Sequence, residues 1–151
     1  MAYTDDSHLP EISDEMLTAV RDSAQPYTLV ILKAGPRFAM PGPNRDADLT
    51  GIIWQHGKRN LALRTAGLMP IICPIADGSG LCGVCILDAT PEDAERIMAL
   101  DPGVRAGVFT YEIHPTRSFP GSALPAASDA EMPRRKASDA DGLGGHGVLP
   151  G

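Results

Sequence analysis

The sequence lacks the features that mark a membrane-spanning or secreted protein. No apolar run approaches the roughly 18 to 20 residues of a spanning helix. The acidic start, MAYTDDSHLPEISDE, has no charged-then-apolar signal pattern. Cysteines are few, and their odd number (Cys73, Cys82 and Cys85) does not suit a disulfide framework. We therefore expect a cytoplasmic protein whose cysteines are buried free thiols.

Basic residues are also scarce. Lys and Arg total 13 against 19 Asp and Glu, so the formal net charge is -6. Without a long basic run, neither nucleic acid nor an anionic membrane is an expected partner. The glycines of DGSGLCG lead into a strand, not a helix N-terminus, so they do not form a phosphate-binding loop. Cys82 and Cys85 lie in an apolar run where residues three apart point to opposite faces, so we predict no metal or redox site there.

The chain length of 151 residues suits a single domain with additions at both ends. Residues 1 to 26 form an N-terminal extension with a short helix that Ser13 can cap. Residues 27 to 117 carry the periodic apolar pattern of a folded core. Residues 118 to 151 are rich in Pro, Gly, Ala, Ser and Asp. This tail buries too little to offset its ordering entropy, and we expect it to be disordered or to lie across a partner subunit.

The core reads as a β-α-β-β-α-β succession. Strands are predicted at 27 to 35, 68 to 75, 81 to 89 and 105 to 115. One helix starts after Asp46 or Asp48 and ends at Gly67, and a second starts at Thr90 and runs to about Leu100. This order predicts an α+β, ferredoxin-like fold, with both helices on one face of a four-stranded antiparallel sheet. The other face is left bare, so we expect a homodimer or a higher homo-oligomer that covers it.

His56 faces the sheet in the predicted helix. At about 100° per residue from Leu49, His56 falls near 340° and Asn60 near 20°, inside the apolar stripe. A buried imidazole needs a hydrogen-bond partner, because leaving it unpaired costs about 1 to 3 kcal/mol. Two interpretations stay open: a core histidine bonded to backbone or to Asn60, and a catalytic acid/base in a pocket between helix and sheet.

The segments HGKRNLALRTAGLM and DPGVRAGVFTYEIHP resemble the YciI-like (YCII-related) family across about residues 27 to 116. The shared features are the helical His56, then Leu61 and Gly67, and the Asp101-Pro102 pair before the AGV at 106 to 108. The resemblance implies a dimeric α/β barrel of ferredoxin-like subunits with a His/Asp active site. One activity known in the family is the removal of HCl from a chlorinated hydroquinone, an elimination without a cofactor. The chain departs from the family at Ile72-Cys73-Pro74, where Ala-Gly-Pro is common, and in its long loop 36 to 48.

Other polar residues have a structural and a functional interpretation. Asp101 either caps the DPGV turn or orients the imidazole and stabilises its protonated form. Arg37 and Arg45, in the long loop, are solvated or hold an anionic substrate. Glu112 and His114 share one face of the last strand and lie on a solvated edge or line a dimer cavity.

The sequence thus favours a cofactor-independent lyase or isomerase that acts on a small cyclic or aromatic molecule. His56 and Asp101 are the predicted catalytic pair, and Asn60, Arg37, Arg45, Glu112 and His114 are the predicted substrate-binding residues; no metal or cofactor is predicted. Two alternatives remain: a small-molecule binding or assembly module without catalysis, and a cofactor-free monooxygenase, which rests on fold analogy alone.

The composition of the tail leads to a first prediction. Deletion of residues 121 to 151 should leave the core folded, because these residues lack the apolar pattern of a packed element. Thermal melts of the full-length and truncated proteins should nearly coincide. A collapse of the truncated form would show instead that the tail packs, most simply against a second subunit.

Overall fold

The fold is α+β, built on one four-stranded antiparallel sheet. The computed structural model describes residues 3 to 126, so residues 127 to 151 of the predicted tail lie outside the described residues. A turn of 3-10 helix at Asp6–His8 is followed by α1 (Asp14–Asp22), β1 (Gln25–Ala34), α2 (Ala47–Thr65), β2 (Ile71–Pro74), β3 (Leu81–Leu87), α3 (Pro91–Ala99), α4 (Pro102–Arg105) and β4 (Phe109–Ser118). The sheet order β2-β3-β1-β4 is consistent with the predicted ferredoxin-like arrangement.

The helices begin and end at the residues whose chemistry predicts it. The side chains of Ser13, Asp46 and Thr90 each accept a hydrogen bond from a backbone amide in the first turn of α1, α2 and α3. Gly67, just beyond α2, has a φ of 80°, a conformation that glycine adopts without steric cost. None of the helices in residues 3 to 126 is long and apolar enough to cross a bilayer.

The strands confirm the predicted order but not every predicted boundary. β2 is a short edge strand, as its prolines predicted, and β3 lies between β2 and β1. The predicted start of the last strand at 105 was wrong, because β4 begins at Phe109. The chain forms the four-residue helix α4 first and then turns at Gly107, whose φ is 76°. Ser118, predicted to open the tail, is the last residue of β4.

The hydrophobic core lies between one face of the sheet and the helices. Alternate residues of β1 and β3 point into it, and α2 and α3 supply the facing side chains; this core includes Val30, Leu32, Leu49, Ile53, Cys85, Leu87, Ala94 and Met98. The intervening residues Leu29, Ile31, Val84 and Ile86 point to the other face and remain partly exposed. We call these four side chains the open sheet face.

All three cysteines are free thiols, but only one of them is buried. Cys85 is buried, Cys82 is half-buried and Cys73, on the edge strand, is exposed, so the prediction of burial was wrong for Cys73. Cys82 and Cys85 were predicted on opposite faces, yet both pack against the core. The reason is a register shift: Leu32 pairs with Gly83 and Lys33 pairs with Leu81, which leaves Cys82 in a bulge that turns it inward.

Candidate active site

His56 lies midway along α2 and points toward the sheet, as the helical periodicity predicts. Its side chain is 13% exposed. The imidazole packs at a tilt against the ring of Phe109 on β4, with 4.7 Å between the ring centroids. The interpretation of His56 as a residue on the apolar side of the helix is therefore confirmed.

Asp101 contacts the imidazole of His56 at Nδ1. Its side chain is fully buried and lies 2.8 Å from the ring, measured from Oδ2 to Nδ1 of His56. Its other oxygen, Oδ1, accepts hydrogen bonds from the backbone amides of Gly103 at 2.8 Å and Val104 at 3.1 Å. The two interpretations of Asp101 are thus compatible, because the carboxylate caps α4 with one oxygen and contacts the imidazole with the other.

The glycine of the DPGV segment is required by close packing at this site. A Cβ atom built on Gly103 would lie 2.5 Å from a ring carbon of Phe109 and 3.1 Å from Oδ1 of Asp101. Any larger residue would push Phe109 away, and that ring is the surface against which His56 rests. Each residue of this segment therefore has its own role. Asp101 caps α4, Pro102 starts that helix, and Gly103 leaves room for the ring of Phe109.

The hydrogen bonds define the protonation pattern of the ring. An ionised carboxylate can only accept, so Nδ1 of His56 carries the hydrogen that bonds to Asp101. In the neutral ring Nε2 then holds the lone pair, and it lies 3.0 Å from Nδ2 of Asn60, which donates to it. Rotation of the Asn60 amide by half a turn would present its oxygen to a protonated Nε2, so Asn60 can accompany both forms of the ring.

The environment favours the ionised form of Asp101. Burial acts to raise its pKa, but the hydrogen bond and charge of His56 and the amides of Val104 and Gly103 outweigh it, and the pKa lies below its ordinary value. Arg59 adds a second cation, with Nη1 3.8 Å from Oδ2 of Asp101. Its Nη2 donates to the carbonyl of Ile97 at 2.8 Å, while Nη1 is buried without a hydrogen bond among the described residues.

A cavity of about 650 Å³ opens beside His56, between α2, β2, β3 and the long loop. Its volume is within the usual range of small-molecule sites. His56 and Asn60 lie in its wall and Asp101 does not, so the carboxylate is behind the ring. Most of the wall is apolar, including Phe38, Met40, Trp54, Met69, Ile72 and Phe109. Leu124, just beyond β4, also contributes to it.

The structure brings only some of the predicted binding residues to this cavity. Asn60 and Arg45 line it. Arg37 instead bonds to the carbonyl of Ala106 and to Asp48, outside the wall. Glu112 and His114 point away from α2, because they pair with Ile31 and Leu29 of the open sheet face. They bond to each other, and Glu112 also pairs with Lys33. They do not line this cavity, and their assignment as substrate-binding residues stays a prediction for the open sheet face.

The prediction missed Arg59 and most of the cavity wall. On the helical projection Arg59 lies at about 280° and His56 near 340°. The sequence alone could therefore have placed Arg59 on the same side of the helix as the imidazole. The loop residues Phe38 and Met40 carried no periodic signal.

Within residues 3 to 126, no group of three or more His, Cys, Asp or Glu side chains has the geometry of a metal site. Comparison with known proteins finds neither a matching family model nor a matching curated protein.

The low pKa of Asp101 predicts a pH-dependent contribution to stability. Because the folded-state pKa lies below the unfolded one, the ionised carboxylate stabilises the fold above about pH 4, and this contribution is lost as pH falls through the folded-state value. Asp101→Asn should lower the free energy of unfolding at neutral pH by about 1.5 to 3 kcal/mol. Denaturant melts should show this difference shrinking below pH 4, whereas the exposed control Asp22→Asn should show little difference at any pH. A constant deficit down to pH 2 would contradict the assignment.

Proposed function

We propose that this protein is a cofactor-independent enzyme that performs acid/base chemistry with His56, in a lyase (elimination) or isomerase step on a small cyclic or aromatic molecule. One observation carries the proposal: an imidazole bonded at Nδ1 to a buried carboxylate lies, together with Asn60, in the wall of a ligand-sized, largely apolar cavity. A histidine that served only to fill the core would not need that cavity.

The proposed step transfers one proton at Nε2 of His56. A C–H bond of the substrate breaks, the proton passes to Nε2, and the bonding electron pair stays with the substrate. In an elimination that pair forms a double bond and expels a leaving group from the neighbouring carbon. In an isomerisation the imidazolium returns the proton to a different carbon. Substrate entry would replace the hydrogen bond from Asn60 to the lone pair of Nε2.

Asp101 would act as a positioning residue. Its hydrogen bond to Nδ1 keeps the lone pair of the neutral ring on Nε2, and its charge stabilises the imidazolium formed during the reaction. Asp101 would stay ionised, because the hydrogen bonds around it favour the carboxylate form. The apolar wall, including Phe109, would keep water away and strengthen these electrostatic interactions.

The resemblance to the YciI-like family supports the same proposal. The features it rests on, His56 and the Asp101-Pro102 pair, are the residues that meet in the site. We further propose that two subunits join through their open sheet faces, as in the dimeric α/β barrels that the resemblance implies. A second candidate, a binding module without catalysis, is favoured by the Asn60 hydrogen bond, because Nε2 already has a partner.

His56→Gln tests the catalytic role. Glutamine can still donate a hydrogen bond to Asp101, but it cannot exchange protons near neutral pH. We expect activity to fall by about 10²- to 10⁴-fold while the melting temperature changes little. Suitable assays are chloride release from chlorinated hydroquinones, for elimination, and deuterium uptake by cyclic diketones, for proton transfer at carbon.

Two further variants sharpen this test. Asp101→Asn should reduce the rate in the same direction but less, because an amide can hold the ring but not stabilise its charge. His8→Gln removes an exposed histidine far from α2 and should leave the rate unchanged. A folded His56→Gln protein that turns over at the wild-type rate would end the catalytic proposal and leave the binding module.

The proposed dimer predicts a mass of twice 15.9 kDa in light scattering at micromolar concentration. Ile31→Lys places a charge in the middle of the open sheet face and should yield monomers, because burying an unpaired charge is costly. Leu17→Lys, on the exposed side of α1, is the matched control and should remain dimeric if α1 takes no part. A wild-type protein that is monomeric at these concentrations would contradict the proposal.

A further inference from the structure

The cavity wall has a charge opposite to that of the whole protein. The chain has a net charge of -6. Among the described residues that line the cavity there is no Asp or Glu, whereas three basic residues do line it: Arg45, Lys58 and Arg64. An acidic protein with an apolar, positively charged cavity is suited to a ligand that is apolar in its body and negative at one point.

Arg45 is the cation that is best prepared to bind such a group. Both Nε and Nη2 donate to the carbonyl of Ala39, at 2.9 and 2.8 Å, which fixes the guanidinium in place. Its Cζ lies 5.9 Å from the centroid of the Phe38 ring. Lys58 and Arg64 are exposed, whereas Arg45 is half-buried. A fixed, partly desolvated guanidinium loses less entropy on binding a carboxylate than a mobile surface side chain does.

The charge of Arg45 also reaches the interior of the cavity. Burial raises the pKa of the Cys82 thiol, and Arg45 acts in the opposite direction on it. Cys82 belongs to the cavity wall on β3, across from the loop that carries Arg45. The positive charge of Arg45 therefore acts at the cavity wall on β3.

Aromatic rings connect Arg45 to His56. The ring of Phe38, beneath Arg45, lies 6.1 Å from that of Phe109, and Phe109 lies 4.7 Å from the imidazole, measured between centroids. These rings form an aromatic stretch of the cavity wall between Arg45 and His56. Such a wall favours a ligand that carries a ring, because offset and edge-to-face ring pairs attract each other.

We propose that the cavity binds an apolar, ring-containing molecule with one anionic group, a carboxylate or an ionised phenol, held by Arg45. The proposal rests on the acid/base function above only for the position of the reacting carbon near His56. The anion site itself follows from the charge and geometry of the wall, so binding can be tested without turnover.

Three probes have the same phenylpropyl carbon skeleton but differ in charge: hydrocinnamate, hydrocinnamide and phenylpropylammonium. Their affinities therefore separate the effect of ligand charge from that of ligand shape. Trp54 is the only tryptophan and lines the cavity, so its fluorescence reports occupancy, and calorimetry provides an independent affinity. We expect hydrocinnamate to bind at least about tenfold more tightly than the amide and the ammonium to bind most weakly. The preference for the anion should decrease as salt is added.

Variants then assign the preference to Arg45. Arg45→Gln should lose the tenfold preference while binding the amide as before, and Arg45→Lys should retain part of it. Arg21→Gln, at the exposed end of α1, is the control and should bind like the wild type. If Arg45→Gln fails to fold, Arg45→Lys decides the question, because a wild-type preference in that folded variant would show that the guanidinium of Arg45 does not hold the anion. Equal affinities for acid and amide, or a preference that survives in folded Arg45→Gln, would overturn the proposal.

Two glycines of α2 locate the binding site. A Cβ atom on either Gly57 or Gly51 would meet nothing within 4 Å, but only Gly57 lines the cavity. Gly57→Leu should therefore narrow the cavity and weaken binding of all three probes, whereas Gly51→Leu should not. Leucine favours helices over glycine, so neither change should unfold α2. Unchanged affinities in Gly57→Leu, or no binding of any probe to the wild type, would contradict the proposal. His56→Gln should keep the anion preference, which separates this result from a failure of the catalytic proposal.

Discussion

A fully buried carboxylate has to be matched by donors, and the three that surround Asp101 connect the parts of the site. Two are amides at the start of α4, and the third is Nδ1 of His56 on α2. Losing one partner of such a buried ionic group costs more than an ordinary hydrogen bond, because the remaining charge is left without compensation. The contact therefore fixes α2 against the segment that precedes β4, and with it the direction in which Nε2 points.

Arg59 changes the electrostatics of this pair without lining the cavity. Its guanidinium is tied to the carbonyl of Ile97 and lies within ion-pair distance of Asp101. The carboxylate thus interacts with two cations whenever the imidazole is protonated, and with one when the imidazole is neutral. Arg59 therefore offsets part of the charge of a carboxylate that is buried beside the imidazole.

Sequence periodicity and capping chemistry sufficed for the parts of the fold that depend on local interactions. The helix caps at Asp46 and Thr90, the stop at Gly67 and the inward direction of His56 are set within one or two turns of helix. The start of β4 was misplaced, because a side-chain cap from Asp101 made a short helix out of residues that resemble a strand. The cavity was beyond sequence reasoning, since its width depends on how far α2 stands from the sheet. For Glu112 and His114, alternation predicts a shared face but not that this face points away from α2.

The cavity itself is the strongest physical argument for the proposed ligand. Protein interiors pack to about the density of organic crystals, whereas an apolar cleft that is open to solvent leaves its wall hydrated instead of packed. A small domain with a cavity of about 650 Å³ beside its core has given up part of that packing. Gly57 contributes to this opening, because it lines the cavity and a Cβ atom there would meet no neighbour within 4 Å. A glycine inside α2 also costs about 1 kcal/mol relative to alanine. The helix thus carries a cost in stability at a position where the absence of a side chain keeps the wall open for the proposed ligand.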